Sequence, residues 1–331
     1  MTARRWTLAF IIGALVLGAC SGPGSTSQDP PSAPPGSTAQ GYPVTLDNCG
    51  TALSLSSAPQ RIVTIKSSTT ELVLALGLAD RLVGTAFLDG PFPEELAAAG
   101  ELVPVLAERA PAAEVVLAAE PDLVFAGWES TFTADGIGSR EELQELGISS
   151  YVAPAACQGE AYQPNPLTFE DVFDGIREAG DVLGAPAAAA DLVTQQQQQL
   201  ASITAPTTDW TALWYSSGSD TPFVGGGIGA PQLIMDSIGL TNINSTMPTP
   251  WGSVNWEQVA ASEPDVIVLV DSAWNTAENK IEVLESNPVT AQLPAVLEGR
   301  YLIVPFAASE AGVRTVEATQ SLAQQLAQLS P

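Results

Sequence analysis

Two segments of this chain repeat each other 143 residues apart, and no other feature constrains the fold as strongly. EVVLAAEPDLVF (Glu114–Phe125) and EQVAASEPDVIV (Glu257–Val268) each open a short helix on a glutamate. Each then places Pro-Asp seven and eight residues on and ends in an apolar strand. A weaker echo pairs Glu71-Leu72-Val73 and Gly77-Leu78 with Gln232-Leu233-Ile234 and Gly239-Leu240. One such unit per half predicts two similar lobes; chance likeness between two generic helix-turn-strand units is the alternative. Acids favour the positive end of a helix dipole. That accounts for Glu114 or Glu257 alone, but less well for the same acid at the same step twice.

The rest of the pattern alternates strand and helix, which predicts an α/β fold with parallel strands. Tyr42 to Leu46 and Ala52 to Leu55 read as a hairpin turned near Asn48-Cys49-Gly50, and Arg61 to Ile65 as a buried strand. Lys66 to Thr70 reads as a polar loop before a helix, Glu71 to Leu76, closed by Gly77. Strands are expected at Leu82–Thr85, Asp122–Ala126, Ser150–Ala153, Leu213–Tyr215, Val266–Val270 and Tyr301–Val304. Short helices are expected at Ala113–Ala119, Glu141–Leu146, Pro231–Ile238 and Trp256–Ala261. Apolar residues at 169, 172, 173, 176, 179, 182 and 183 follow a 3.6-residue period and predict a helix over Phe169–Leu183. Gly184-Ala185-Pro186 breaks it; a second helix runs from Ala187 to Ile203, with the run Gln195 to Gln199 on its wet side. Thr315 to Leu329 is the closing helix. The domain reading is 42–185 for the N-terminal lobe, 186–204 for an interlobe helix and 205–331 for the C-terminal lobe.

Before this region, Arg4 and Arg5 precede an apolar run, Trp6 to Leu17, that is too short to span a bilayer of roughly 30 Å. Leu17-Gly18-Ala19-Cys20 ends it, the plan of a secretory signal with a lipid-modified cysteine at Cys20; an uncleaved anchor or plain secretory signal is the alternative. Residues 21–40, rich in Ser, Pro and Gly, read as a disordered tether. The formal charge is −26, and losing Arg4 and Arg5 leaves 9 basic against 37 acidic residues, or −28. Such a surface repels nucleic acid and anionic headgroups.

Of three cysteines, Cys49 and Cys157 remain once Cys20 carries lipid. In an oxidising compartment they are expected to pair, two buried thiols being the alternative. The chain has no histidine. That removes a Ser-His-Asp triad, a Cys-His pair and any His-bearing zinc site.

The lipobox, the segment Arg61-Ile-Val-Thr-Ile…Thr70-Glu71-Leu…Leu76-Gly77-Leu78, the paired Glu…Pro-Asp segments and the break at a central helix together resemble one family. It is the solute-binding component of ABC importers of the ferric siderophore, haem or cobalamin type. The resemblance implies the class III periplasmic-binding-protein fold: two Rossmann-like lobes joined by one long helix that permits little closure. It implies a monomer without a resident cofactor or catalytic activity, held to the membrane by lipid, with an ABC permease and ATPase as partners. It also implies that Glu114 and Glu257 dock onto arginines of the permease.

The family's ligand cleft lies between the lobes, at loops following strands. Here those loops are Lys66 to Thr70, Gly127 to Glu129, Tyr215 to Ser217, Trp251 to Ser253 and Ala307 to Arg314. The resemblance therefore puts Lys66, Ser67, Ser68, Thr69, Trp128, Tyr215, Trp251 and Arg314 in the ligand site. Trp128, Tyr215 and Trp251 would stack on a flat ligand or else pack on their lobes. Arg314 and Lys66 would meet ligand anions, or Arg314 would be a guanidinium buried among acids. Gly225 to Gly229 lacks the Lys-Ser/Thr of a nucleotide loop and reads as a cleft-edge loop that approaches the ligand by its backbone. Without histidines a bare metal is disfavoured as ligand, leaving a chelated metal or an organic compound. Thr64–Glu71 and Phe125–Ser130 also resemble a subset proposed to import a deazaflavin coenzyme precursor. A surface-anchored hydrolase using Ser67 or Ser216 with Lys66 as base is the reading from another class, a ligand-sensing domain a third.

Overall fold

The computed structural model describes residues 41–163, 166–207 and 209–329. The lipobox with Cys20 and the 21–40 tether lie outside the described residues. Strands β1 (Val44–Asn48) and β2 (Thr51–Leu55) form the antiparallel hairpin. Strands β3 (Ile62–Ile65), β4 (Leu82–Ala86), β5 (Val105–Ala107), β6 (Leu123–Ala126) and β7 (Ser149–Val152) form an all-parallel sheet in the order β5-β4-β3-β6-β7. Its crossovers carry helices α1 (Ser67–Ala75), α2 (Glu94–Gly100), α3 (Ala113–Ala118) and α4 (Arg140–Glu145). β3 and β6 are buried along their whole length, as strands covered by helices on both faces must be.

Helices α5 (Phe169–Leu183) and α6 (Pro186–Ser202) follow, divided by Gly184 in the left-handed region at φ 70°. α6 packs on α5 and reaches the closing helix, so it touches both halves. The glutamine run is not wholly on its wet side. Gln196 is 5% exposed and donates to the Val313 carbonyl at 2.6 Å, and Gln199 donates to Gln320 at 2.7 Å. These two use their amides to join the halves.

The second sheet contains β8 (Thr211–Ser217), β9 (Phe223–Gly225), β10 (Thr241–Asn242), β11 (Trp251–Ser253), β12 (Val266–Asp271) and β13 (Tyr301–Pro305). Its order is β11-β9-β8-β12-β13, with β10 also on β8; β9 and β11 run antiparallel to their neighbours and the others parallel. Helices α7 (Ala230–Ser237), α8 (Trp256–Ser262), α9 (Ala277–Ser286), α10 (Pro294–Leu297), α11 (Phe306–Ser309) and α12 (Thr315–Leu329) cover it.

The repeat is physical. Glu120 and Glu263 both take left-handed backbone, φ 48° and 43°, directly before Pro121 and Pro264. The following aspartates then do the same work. Asp122 accepts from the Gln60 and Arg61 amides at 2.7 and 3.0 Å, and Asp265 from the Thr211 amide and hydroxyl at 2.8 Å each. Each carboxylate thus staples the start of its strand, β6 or β12, to the start of the neighbouring strand, β3 or β8. The weaker echo holds too. Gly77 and Gly239 end α1 and α7 at φ 74° and 78°, and the leucine after each donates back into its helix.

Cys49 and Cys157 are disulfide-bonded across a separation of 108 residues. Beside the bridge, Asn48 donates to the Val152 carbonyl and accepts from the Val152 amide, both at 2.8 Å, while Arg140 donates to its carbonyl at 2.6 Å. The hairpin is thereby fixed to β7.

Candidate functional site

A cavity of about 430 Å³ opens between the two sheets, lined from both halves. Trp128 and Glu129, directly after β6, and Ala155 to Gln158, directly after β7, supply one wall. Ser216 and Ser217 at the end of β8, Trp251 on β11, and Trp274, Phe306 and Glu310 supply the other. Crevices beyond the carboxyl ends of parallel strands are where α/β folds bind ligands, because loops from several strands converge there without disturbing the core. The wall is aromatic. Trp251 stacks on Phe223 with ring centroids 6.1 Å apart, and Trp274 lies 5.3 Å from Phe306.

Of the residues assigned from sequence, Trp128 and Trp251 line this cavity. The others lie elsewhere, for identifiable reasons. Lys66 is 0% exposed, paired with Asp89 and boxed by the rings of Phe87, Trp128 and Phe306, its ammonium 3.9–4.4 Å from their centroids. It sits at φ 90° as N-cap of α1, so the segment read as a polar loop is the first turn of that helix. Thr69 is spent inside the turn, donating to the Ile65 carbonyl at 3.0 Å. The Ser67 hydroxyl accepts from the Asp89 amide at 2.8 Å. With Lys66 committed to Asp89, Ser67 and Lys66 are not arranged as nucleophile and base.

Tyr215 is 1% exposed, donates to the Gly218 carbonyl at 2.8 Å and packs edge-on against Trp256, so it belongs to the core. Arg314 forks onto Glu317 with two 3.0 Å bonds and lies 3.6 Å from Glu71, the guanidinium-among-acids arrangement. It borders a separate cavity of about 320 Å³ with Asp89 and Asp271.

The glycine run serves packing more than ligand approach. A Cβ on Gly226 or Gly227 would fall 2.0 Å from the carbonyl oxygen of Thr249 or Ser245, and only Gly229 reaches the cavity. Gly127 is required for a similar reason. Its Cβ would meet Lys66 Cβ and Ser68 Oγ at 2.9 Å each.

Sequence reasoning missed Glu310. From the C-terminal half it accepts the Trp128 indole N–H at 2.5 Å and the Ser68 hydroxyl at 3.3 Å. Ser68 therefore holds a cavity residue without lining the cavity. Desolvation pushes the Glu310 carboxyl up to about 7, with Lys66 opposing the shift. More bonds cross the same seam: the Leu167 amide donates to Ile228 at 2.9 Å, and the Ala273 amide to Asp89 at 3.2 Å.

Behind it, Glu71 is 1% exposed and neither oxygen makes a hydrogen bond. Burial drives its carboxyl from the ordinary value near 4.5 up to about 8, against the pull of Arg314. The folded chain thus holds protons here that the unfolded chain releases. This stabilisation is complete below about 4.5 and is lost as pH rises through about 8. The melting temperature is expected to fall from pH 5 to pH 8, with Glu71→Gln showing a shallower decline. Parallel pH–melting curves for the two proteins would remove Glu71 as the cause.

Two sheets with a ligand-sized aromatic cavity at their facing ends define a solute-binding protein. Residues 62–308 match the family model "Periplasmic binding protein", and the chain belongs to that family. The fold is class III of that group. It is 23% identical over 247 residues to a Vitamin B12-binding protein of Vibrio parahaemolyticus, covering 72% of this chain and 83% of that one. It is 24% identical to the uncharacterized ABC transporter substrate-binding lipoprotein YvrC of Bacillus subtilis, covering 96% and 95%. Among solved structures, an ABC-type Fe3+-hydroxamate transport system protein from Saccharomonospora viridis superposes with TM-score 0.74 at 26% identity, over 86% of this chain and 99% of that one. A periplasmic binding protein from Veillonella parvula gives 0.75 at 27% identity, over 86% and 97%.

Among the described residues no group of three or more Cys, Asp or Glu is arranged to hold a metal ion, and no helix is long and apolar enough to cross a membrane.

Proposed function

We propose that this chain is the extracytoplasmic, lipid-anchored binding component of an ABC importer, which captures a chelated-metal or organic solute and hands it to a permease. The cavity at the facing strand ends of two sheets, in a chain of this family, carries the reading. Residues 42–185 and 205–331 act as the two lobes, with 186–204 as the strut. Glu114 and Glu257, exposed in the first turns of α3 and α8, are the docking acids. Cys20 is the anchor point.

A saturating ligand at 100 times its dissociation constant adds about 2.7 kcal/mol, which a melting curve registers. Cyanocobalamin and ferrioxamine B, chosen from the relatives' chemistry, are the first probes. Trp251→Ala removes a half-buried stacking face and is expected to weaken binding by about 30-fold, the scale of an aromatic hot spot. Unchanged affinity in that variant would move the ligand off this cavity. Loss of solute uptake in cells lacking the protein, restored by the wild type, tests the importer reading itself.

A further inference from the structure

The cavity has a sign. Among the described residues that line it, two are carboxylates, Glu129 and Glu310, and none is lysine or arginine. Glu129 is held by the Gln158 amide, and Glu310 by Trp128 and Ser68, so both are fixed in place. The buried cations Lys66, paired with Asp89 and boxed by Phe87, Trp128 and Phe306, and Arg140, which donates to Asn48 and Ser150, stand outside the lining. Arg109 lies 5.5 Å over the Trp274 ring but is not part of the lining. The described lining has no histidine or tyrosine, and its one cysteine, Cys157, is in the disulfide.

We propose that this cavity takes an N–H-bearing ligand of zero or positive net charge and rejects anions. The proposal rests on the binding-protein reading above. An anion entering would meet fixed carboxylates, and no cation of the lining would be there to pair with it. A neutral or cationic compound with amide or ammonium hydrogens satisfies the free carboxylate lone pairs while its apolar groups pack on the tryptophans.

Four probes decide it, by calorimetry at pH 8, where Glu310 is ionised: cyanocobalamin (neutral, amide-rich), ferrioxamine B (cationic), haemin (two propionates) and flavin mononucleotide (a phosphate). At least one of the first two is expected to bind, and haemin and flavin mononucleotide at least about 100-fold more weakly. The double variant Glu129→Gln/Glu310→Gln should weaken ferrioxamine B about tenfold, leave cyanocobalamin within about threefold, and narrow the gap to the anions. Haemin or flavin mononucleotide binding as tightly as the better of the first two overturns the charge rule and leaves the importer reading standing. A double variant that weakens every probe equally also overturns it, since the carboxylates would then only shape the wall. Silence from all four overturns the proposal, and the uptake experiment alone then judges the importer.

Discussion

Charge reversal at the two repeat glutamates, Glu114→Lys with Glu257→Lys, is expected to cut cellular uptake at least about 100-fold while leaving ligand affinity within about twofold. Each glutamate stands exposed in the first turn of a short helix, and among the described residues neither makes a hydrogen bond or ion pair. Nothing within the fold requires them, so stability should hold. Losing one partner of a buried charge pair at an interface costs roughly 2–5 kcal/mol, and reversal adds repulsion. The control is Glu101→Lys with Glu145→Lys, which changes net charge equally at exposed positions on other segments. Equal loss in both double variants would make the effect general electrostatics; full uptake in the first would end the docking assignment.

The second large effect is on folding. Cys49→Ser with Cys157→Ser opens a loop of 108 residues. A closed loop of about 100 residues restricts the unfolded chain by about 4.7 kcal/mol on the chain-entropy account. For a chain of this size the melting temperature should fall on the order of 10 °C. The Asn48 bonds to Val152 and Arg140 remain, so the hairpin should stay docked and the variant should fold. Cys157 itself lines the cavity, between Ala156 and Gln158. Releasing it loosens that wall, and affinity should drop together with stability. A melting temperature within about 2 °C of wild type, in non-reducing buffer, would show that the bridge contributes little.

Periodicity and turn chemistry made much of the architecture readable. The 3.6 period placed Phe169–Leu183 without error, and the Glu…Pro-Asp repeat marked the central strand pair of each sheet. Short segments without a period escaped. β9 and β11 have three residues each, and α9 carries too few apolar positions to announce itself.

The site was harder because burial depends on partners distant in sequence. Lys66 looked like a free cation after a strand. Yet β3 and β4 are parallel neighbours, so the loop after one meets the loop after the other, where Asp89 waits. That adjacency was a usable signal. Tyr215 failed for a related reason. β8 is buried on both faces, so Trp214 and Tyr215 each enter a core and only Ser216 and Ser217 emerge at the cavity. Glu310 lies in the Ala307–Arg314 loop and lines the cavity, whereas Arg314, the conspicuous charge of that loop, is matched by Glu317 and Glu71.

The bonds from Glu310, Leu167 and Ala273 that stitch the two walls together bear on how a transporter reads this molecule. If these bonds hold with the cavity filled, a receptor that recognises cargo by a wide jaw movement would find little to detect. Filled and empty copies would offer it nearly the same silhouette. Discrimination must then come from the cargo's own uncovered face at the mouth, or from how readily the mouth gives it up.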